Sequence, residues 1–217
     1  RGETGMMGEV LRYFYRRAGS NEWLPFVDYN TESRVGTYPV AVDAALDAAY
    51  AYERLNGRRA LYRIALDGSG RRELLLSHDR VDIDDLIQIG RRDRVVGASY
   101  ATERGQAVYF DPELRTLAEQ LSRALPGLPL IAFVDSSEDE IRLLIWAGSD
   151  RDPGRYYTYD RASRRLNEIM LSRPQLEGVQ LAEVRAVTYR SRDGVEIPAY
   201  LTLPPGSNGR GLPAIVM

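Results

Sequence analysis

Tyr189-Arg-Ser-Arg-Asp-Gly-Val-Glu-Ile-Pro-Ala-Tyr-Leu-Thr-Leu-Pro-Pro-Gly206, continued by Leu212-Pro-Ala-Ile-Val-Met217, decides how the rest of the chain is read. Arg185–Ser191 and Val195–Leu203 place Tyr, Val, Ile and Thr at pleated positions and read as two strands. Arg192-Asp193-Gly194 supplies the turn between them, because Gly accepts the positive φ that a tight hairpin needs. Pro204-Pro205-Gly206 closes the second strand, and Pro213–Met217 reads as the opening of a third, apolar one.

Upstream, a two-strand design recurs. Val10–Arg16 and Glu22–Val27 join through Ala18-Gly19-Ser20-Asn21. Ala60–Leu66 turns on Asp67-Gly68-Ser69-Gly70 into Glu73–Leu76, and Arg155–Tyr159 turns on Asp160 to Ser163 into Arg165–Leu171. Between them Ala107-Val-Tyr-Phe110 meets Asp111-Pro112. The acids after these aromatic strands, Asp67, Asp111 and Asp160, are 44 and 49 residues apart, and Trp23 and Leu74 are 51 apart. Two further strands precede each aromatic one: Pro39–Val42 with Ala48–Arg54, Val81–Ile89 with Arg94–Tyr100, and Leu128–Val134 with Glu140–Ala147. Asn56-Gly57 adds the strongest short hairpin signal.

Periods of about 40–50 residues with four short strands each are the pattern of β-propeller blades. One segment reads as helix, Pro112–Ala124, with Asp111 as N-cap, Pro112 in the first turn and Leu114, Leu117, Ala118 and Leu121 at helical spacing. Pro126-Gly127 stops it. In a blade this helix replaces or extends the outer strand. The sequence predicts three full blades and the tail of another.

The segment Asp193-Gly194…Ile197-Pro-Ala-Tyr-Leu201…Pro204, followed by Leu212–Met217, resembles the start of the catalytic domain in the prolyl oligopeptidase family of serine peptidases. The resemblance implies an α/β-hydrolase sheet beginning here, with a His-Gly-Gly oxyanion loop expected just after Met217 and the front of a roughly seven-bladed propeller expected before Arg1. It also implies acyl transfer through a serine ester, with the propeller restricting the active site to short peptides.

Composition bounds the alternatives. The net charge is −2, so no long-range field favours nucleic acid or an anionic membrane. Every one of the 29 basic residues is Arg, which reads as coding bias. Cys is absent, which removes disulfides and thiolate chemistry and leaves cytoplasm and periplasm both open. No apolar run approaches the roughly 20 residues of a membrane helix, and no signal-peptide pattern follows Arg1.

Candidate chemistry is sparse. No Gly-x-Ser-x-Gly elbow occurs, and Gly68-Ser69-Gly70 reads as a turn. His78 is the single histidine, and its neighbours Ser77 and Asp79 cannot form a triad with it by adjacency in sequence. Asp82, Asp84 and Asp85 lack the Gly that a calcium loop needs and read as a solvated inter-blade loop. Ser136 to Glu140 and Ser149 to Gly154 read as turns. Arg58-Arg59, Arg71-Arg72, Arg91-Arg92 and Arg164-Arg165 read as solvated hairpin tips, and Tyr13 to Tyr15 with Tyr156 to Tyr159 as packing between blades. No residue of the sequence is assigned to catalysis, cofactor binding or a metal.

The expected fold is mainly β. A partial propeller of about three and a half four-stranded antiparallel blades occupies residues 1–183, and the first strands of a truncated α/β-hydrolase domain occupy residues 184–217. The expected function is the non-catalytic propeller portion of a serine peptidase for short peptides, with no cofactor, no nucleic-acid or membrane partner, and self-association of the isolated chain. The alternatives are a non-enzymatic propeller that binds a protein or peptide, and a periplasmic scaffold of an envelope complex.

Overall fold

The computed structural model describes residues 3–7, 9–17 and 19–215. These form two compact units that meet between Asp111 and Pro112.

The first unit opens with β1 (Glu3–Met7), β2 (Val10–Tyr15), β3 (Leu24–Asn30) and the short β4 (Val35–Gly36), joined in that order into an antiparallel sheet. A second sheet follows the same order: β5 (Tyr38–Asp43), β6 (Ala48–Leu55), β7 (Arg58–Ala65) and β8 (Arg72–Leu76). The third holds β9 (Leu86–Ile89), β10 (Arg94–Ala101) and β11 (Gly105–Tyr109). In the second unit α1 (Pro112–Ala124) precedes the antiparallel sheet of β12 (Leu130–Ser136), β13 (Arg142–Gly148), β14 (Arg155–Asp160) and β15 (Arg165–Leu171). A separate hairpin, β16 (Val184–Arg190) and β17 (Glu196–Thr202), follows.

The turn chemistry explains why strands stop where they do. Asn56 and Gly57 both adopt positive φ, 52° and 81°, the signature of the primed turn that matches strand twist. At Asn30, Asp43, Asp67 and Asp160 the side-chain oxygen accepts backbone N–H groups two or three residues on, from Glu32 and Ser33, Ala45 and Leu46, Ser69, and Ser163. The recurrent acid after an aromatic strand is therefore an Asx turn, which satisfies backbone donors as the ladder ends. Asp111 departs from this pattern: it accepts bonds from both terminal nitrogens of Arg94 at 3.2 Å, and the chain enters α1 in place of a fourth strand.

Second strands carry the core. Ala48 to Tyr52 in β6 are all buried, as are Val95, Val96 and Ala98 in β10 and Leu143, Ile145 and Ala147 in β13. A strand buried on both faces has sheets or connectors on each side, which is why β6 reads as a continuous apolar run. Within the first unit β6 and β5 touch β4 and β3 on one side, and β5 touches β10 on the other. Tyr50, Tyr52 and Leu61 meet Ile83, Val95 and Ala98 in one cluster between the second and third sheets. In the second unit α1 packs against β12 and buries Leu114, Leu117 and Leu121.

Four expectations need correction. The first pair of strands is not a tail but belongs to a complete four-stranded sheet, because β1 and β4 add to it. The strand expected over Val81–Ile89 begins only at Leu86; residues 81–85 form the connector whose Ile83 is fully buried. The third sheet keeps three strands where four were expected in every sheet, and α1 follows β11 in place of an outer strand, as the sequence predicts. Residues 212–215 form no strand, since an extended segment needs a ladder partner and none pairs with them among the described residues; Val216 and Met217 lie outside those residues.

Candidate functional site

A polar cleft in the first unit lies where β6 and β7 meet at their hairpin. Alternation places Tyr50, Tyr52 and Arg54 on one face of β6, opposite Arg63, Leu61 and Arg59 of β7 in register. Arg59 is the hub. Its backbone N–H donates to Asp82 Oδ1 at 2.9 Å, its Nε to the Ile83 carbonyl at 2.5 Å and its Nη2 to the Asp84 carbonyl at 3.1 Å. The guanidinium lies 4.7 Å from the centre of the Tyr52 ring, and the Tyr52 hydroxyl donates to the same Asp84 carbonyl at 3.2 Å. Burial pushes the Tyr52 phenol up to about 12, with Asp85 and Asp84 adding to the rise and Arg59 opposing it. The phenol is therefore a fixed donor at any ordinary pH.

The adjoining wall comes from the first sheet and from the other face of β6. Thr37, the sole buried polar residue of the described core, donates its hydroxyl to Glu53 Oε1 at 2.5 Å, and Arg72 Nε reaches that oxygen at 3.0 Å. Tyr38 stands 5.0 Å from the Tyr29 ring and 6.3 Å, edge-on, from Tyr13. Gly36 has φ of 114°, and a Cβ there would collide with the Asp28 carbonyl, so the chain can pass close to β3 only with Gly. Tyr29, Gly36, Tyr38, Tyr52, Glu53, Arg59 and Asp82 line an open cleft of about 260 Å³, together with Arg34 and Arg54.

Arg59 corrects one expectation. It is not a solvated hairpin tip but half-buried and bonded to the connector. The signal was present as period-two alternation, since Arg59 shares its face with Leu61. Arg72 is likewise paired, whereas Arg58, Arg164 and Arg165 are exposed.

The remaining candidates do not assemble into chemistry. His78 Nδ1 accepts the Arg80 N–H at 3.1 Å, and its ring packs 4.9 Å from Tyr100. A triad histidine donates Nδ1–H to its carboxylate, whereas here that nitrogen faces the Arg80 N–H, with Asp79 Oδ1 3.3 Å away. Asp79 is 87% exposed, which leaves it without the enclosure that an orienting carboxylate has. Asp82, Asp84 and Asp85 bond through one carboxylate and two backbone carbonyls to Arg59, Tyr52 and Ser99, and serve the connector. No group of three metal-ligating side chains occurs among the described residues.

In the second unit the β16–β17 hairpin is tied to the preceding sheet by its loop. Arg151 reaches Glu183 at 2.6 Å, Arg185 reaches the same oxygen at 3.3 Å, and the Val184 N–H donates to Asp150 Oδ2 at 3.1 Å. The Arg151 bond, with Arg185 behind it, holds the Glu183 carboxyl below the usual range. At the hairpin tip the Ser191 hydroxyl bonds Asp193, and that bond lowers the Asp193 carboxyl. These contacts fix the segment that carried the family resemblance.

Successive antiparallel sheets, Asx turns after β3, β5, β7 and β14, and a separate last hairpin define the class: a mainly β chain of blade-like repeats. No protein-family model matches it. The chain is 29% identical over 190 residues to dipeptidyl aminopeptidase BIII of Pseudoxanthomonas mexicana, covering 87% of this chain and 27% of that protein. It is 25% identical over 228 residues to dipeptidyl peptidase family member 6 of Caenorhabditis elegans, covering 94% of this chain and 28% of that protein. A puromycin-hydrolyzing peptidase of Mycobacterium tuberculosis shares the fold, with a TM-score of 0.52 at 14% identity over 94% of this chain and 34% of its own. The chain thus spans about a quarter of the length of the curated relatives it matches. The resemblance to prolyl oligopeptidase-family peptidases extends well beyond the hairpin that first suggested it.

Proposed function

We propose that this chain is the non-catalytic propeller portion of a prolyl oligopeptidase-family serine peptidase, followed by the first hairpin of its hydrolase domain. The carrying observation is the 29% identity to a dipeptidyl aminopeptidase across 87% of the chain. In this reading the blade-like sheets occupy residues 1–183 and screen the active site so that only short peptides reach it. Residues 184–217 lead into the hydrolase sheet, a division supported by β16 and β17 pairing only with each other among the described residues. The serine, aspartate and histidine of catalysis lie beyond this chain.

The 217 residues alone then hydrolyse no aminoacyl ester or peptide, because Ser77, His78 and Asp79 lack a working relay. A chromogenic dipeptide substrate, offered to the chain and to the product of the full reading frame, tests this. Turnover by the frame alone is the expected result. Turnover by the chain that vanishes in His78→Ala would overturn it.

A further inference from the structure

We propose that the cleft at the β6–β7 hairpin is a binding site for one small carboxylate anion. The reading is independent of the peptidase proposal, and its test uses no catalytic readout.

Three arginines line this cavity, Arg34, Arg54 and Arg59. Arg54 and Arg59 are directly opposed in the β6–β7 ladder. Like charges at opposed positions destabilise a strand pair unless something neutralises them. The two acids on the wall are engaged elsewhere: Glu53 accepts from Thr37 and Arg72, and Asp82 accepts the Arg59 backbone N–H. Arg54 spends one terminal nitrogen on the Gly57 carbonyl at 3.3 Å, which leaves its remaining donors for a ligand. Arg34 is exposed, held at a positive φ of 55°, and makes no side-chain bond among the described residues.

Charge and size select the ligand. Glu53 is already matched by Arg72, so the three arginines face Asp82 alone and the cleft keeps an excess of positive charge that draws an anion. A carboxylate also matches the planar fork of arginine, which donates two parallel bonds to it. At about 30 Å³ per water, a 260 Å³ cavity has room for roughly eight waters, or for a carboxylate with a short chain against the Tyr38 ring. The Arg59 guanidinium needs no ordering on binding, because the Ile83 and Asp84 carbonyls and the Tyr52 ring already hold it.

The experiment is calorimetric titration of the full chain with N-acetyl-diglycine, its C-terminal amide, acetate and inorganic phosphate. N-acetyl-diglycine is expected to bind saturably at one site per chain, with the amide at least about tenfold weaker, since a charge-assisted bond is worth 1.4 kcal/mol or more. Arg34→Gln, an exposed change that leaves the core intact, is expected to weaken N-acetyl-diglycine by a similar factor. Acetate matching N-acetyl-diglycine assigns a free acid as the ligand; acetate about tenfold weaker assigns a peptide C-terminus. Equal binding of acid and amide, no saturation at tens of millimolar, phosphate binding tighter than carboxylate, or an unchanged affinity in Arg34→Gln would each overturn the proposal. The acid–amide comparison needs only the natural chain, so it decides even if a variant fails to fold.

Discussion

Arg59 and Tyr52 join a connector to a sheet with a few polar contacts in a mostly apolar setting, and their removal has calculable effects. Arg59→Met keeps much of the stem but deletes two bonds to carbonyls, orphaning the Ile83 acceptor while the Asp84 carbonyl keeps the Tyr52 hydroxyl. At about 1–3 kcal/mol for one orphaned group, a loss of roughly 1–3 kcal/mol in urea denaturation is expected. Tyr52 makes a separate prediction in pH. Its phenol ordinarily titrates at 10.0 and in the folded chain at about 12. A raised folded value means full stability below pH 10 and loss as pH rises toward 12, because the unfolded chain releases this proton first. The slope is about 1.4 kcal/mol per pH unit across that window. Burial also raises Tyr50, so the wild-type curve falls for more than one reason. The difference between wild type and Tyr52→Phe isolates the Tyr52 share, and parallel curves between pH 10 and 12 would refute it. Gly154 is a third such position. Its φ is 94° and a Cβ would strike the Trp146 indole, so Gly154→Ala is expected to lower the melting temperature by several degrees.

Elements stand or fall by what they bury. Ile83 is a fully buried side chain in a segment otherwise rich in acids, and it fills the space between the second and third sheets. Ile83→Ala is expected to cost about 2–5 kcal/mol by urea titration, whereas Asp85→Ala at the exposed end is expected to cost under 1. This contrast shows where sequence reading works. The turns at Asn56-Gly57, Asp67 and Asp160 were legible because those residues do local chemistry that needs no partner. The bounds of α1 were legible from leucine spacing and a proline at each end. Ile83 was not, because one apolar residue among Asp82, Asp84 and Asp85 has no periodicity, and only the neighbouring sheets show that it points inward. The strands β1 and β4 were missed for a related reason. Glu3–Met7 contains no β-branched run beyond Thr4, and Val35–Gly36 is too short to alternate. The polar cleft was half legible: period two put Arg59 on the Leu61 face, but Arg34, Glu53 and Thr37 join it only through pairing between sheets.

At the scale of the whole chain, several large apolar side chains face solvent. Ile169 and Met170 on β15 and Tyr189 and Tyr200 on the last hairpin are each more than half exposed. Covering such side chains on association removes apolar area from water, at about 25 cal/mol per Å². The purified chain is therefore expected to dimerise or aggregate as concentration rises. Light scattering across a wide range checks this, with a constant monomer mass as the contrary result. Catalysis is proposed to lie outside residues 1–217, and fluorophosphonate labelling of the full reading-frame product, followed by peptide mapping, tests this most directly. The account predicts one labelled serine outside residues 1–217 and no label on the 217-residue chain; a label on Ser77 or any other serine of this chain, or none in the whole product, would contradict it.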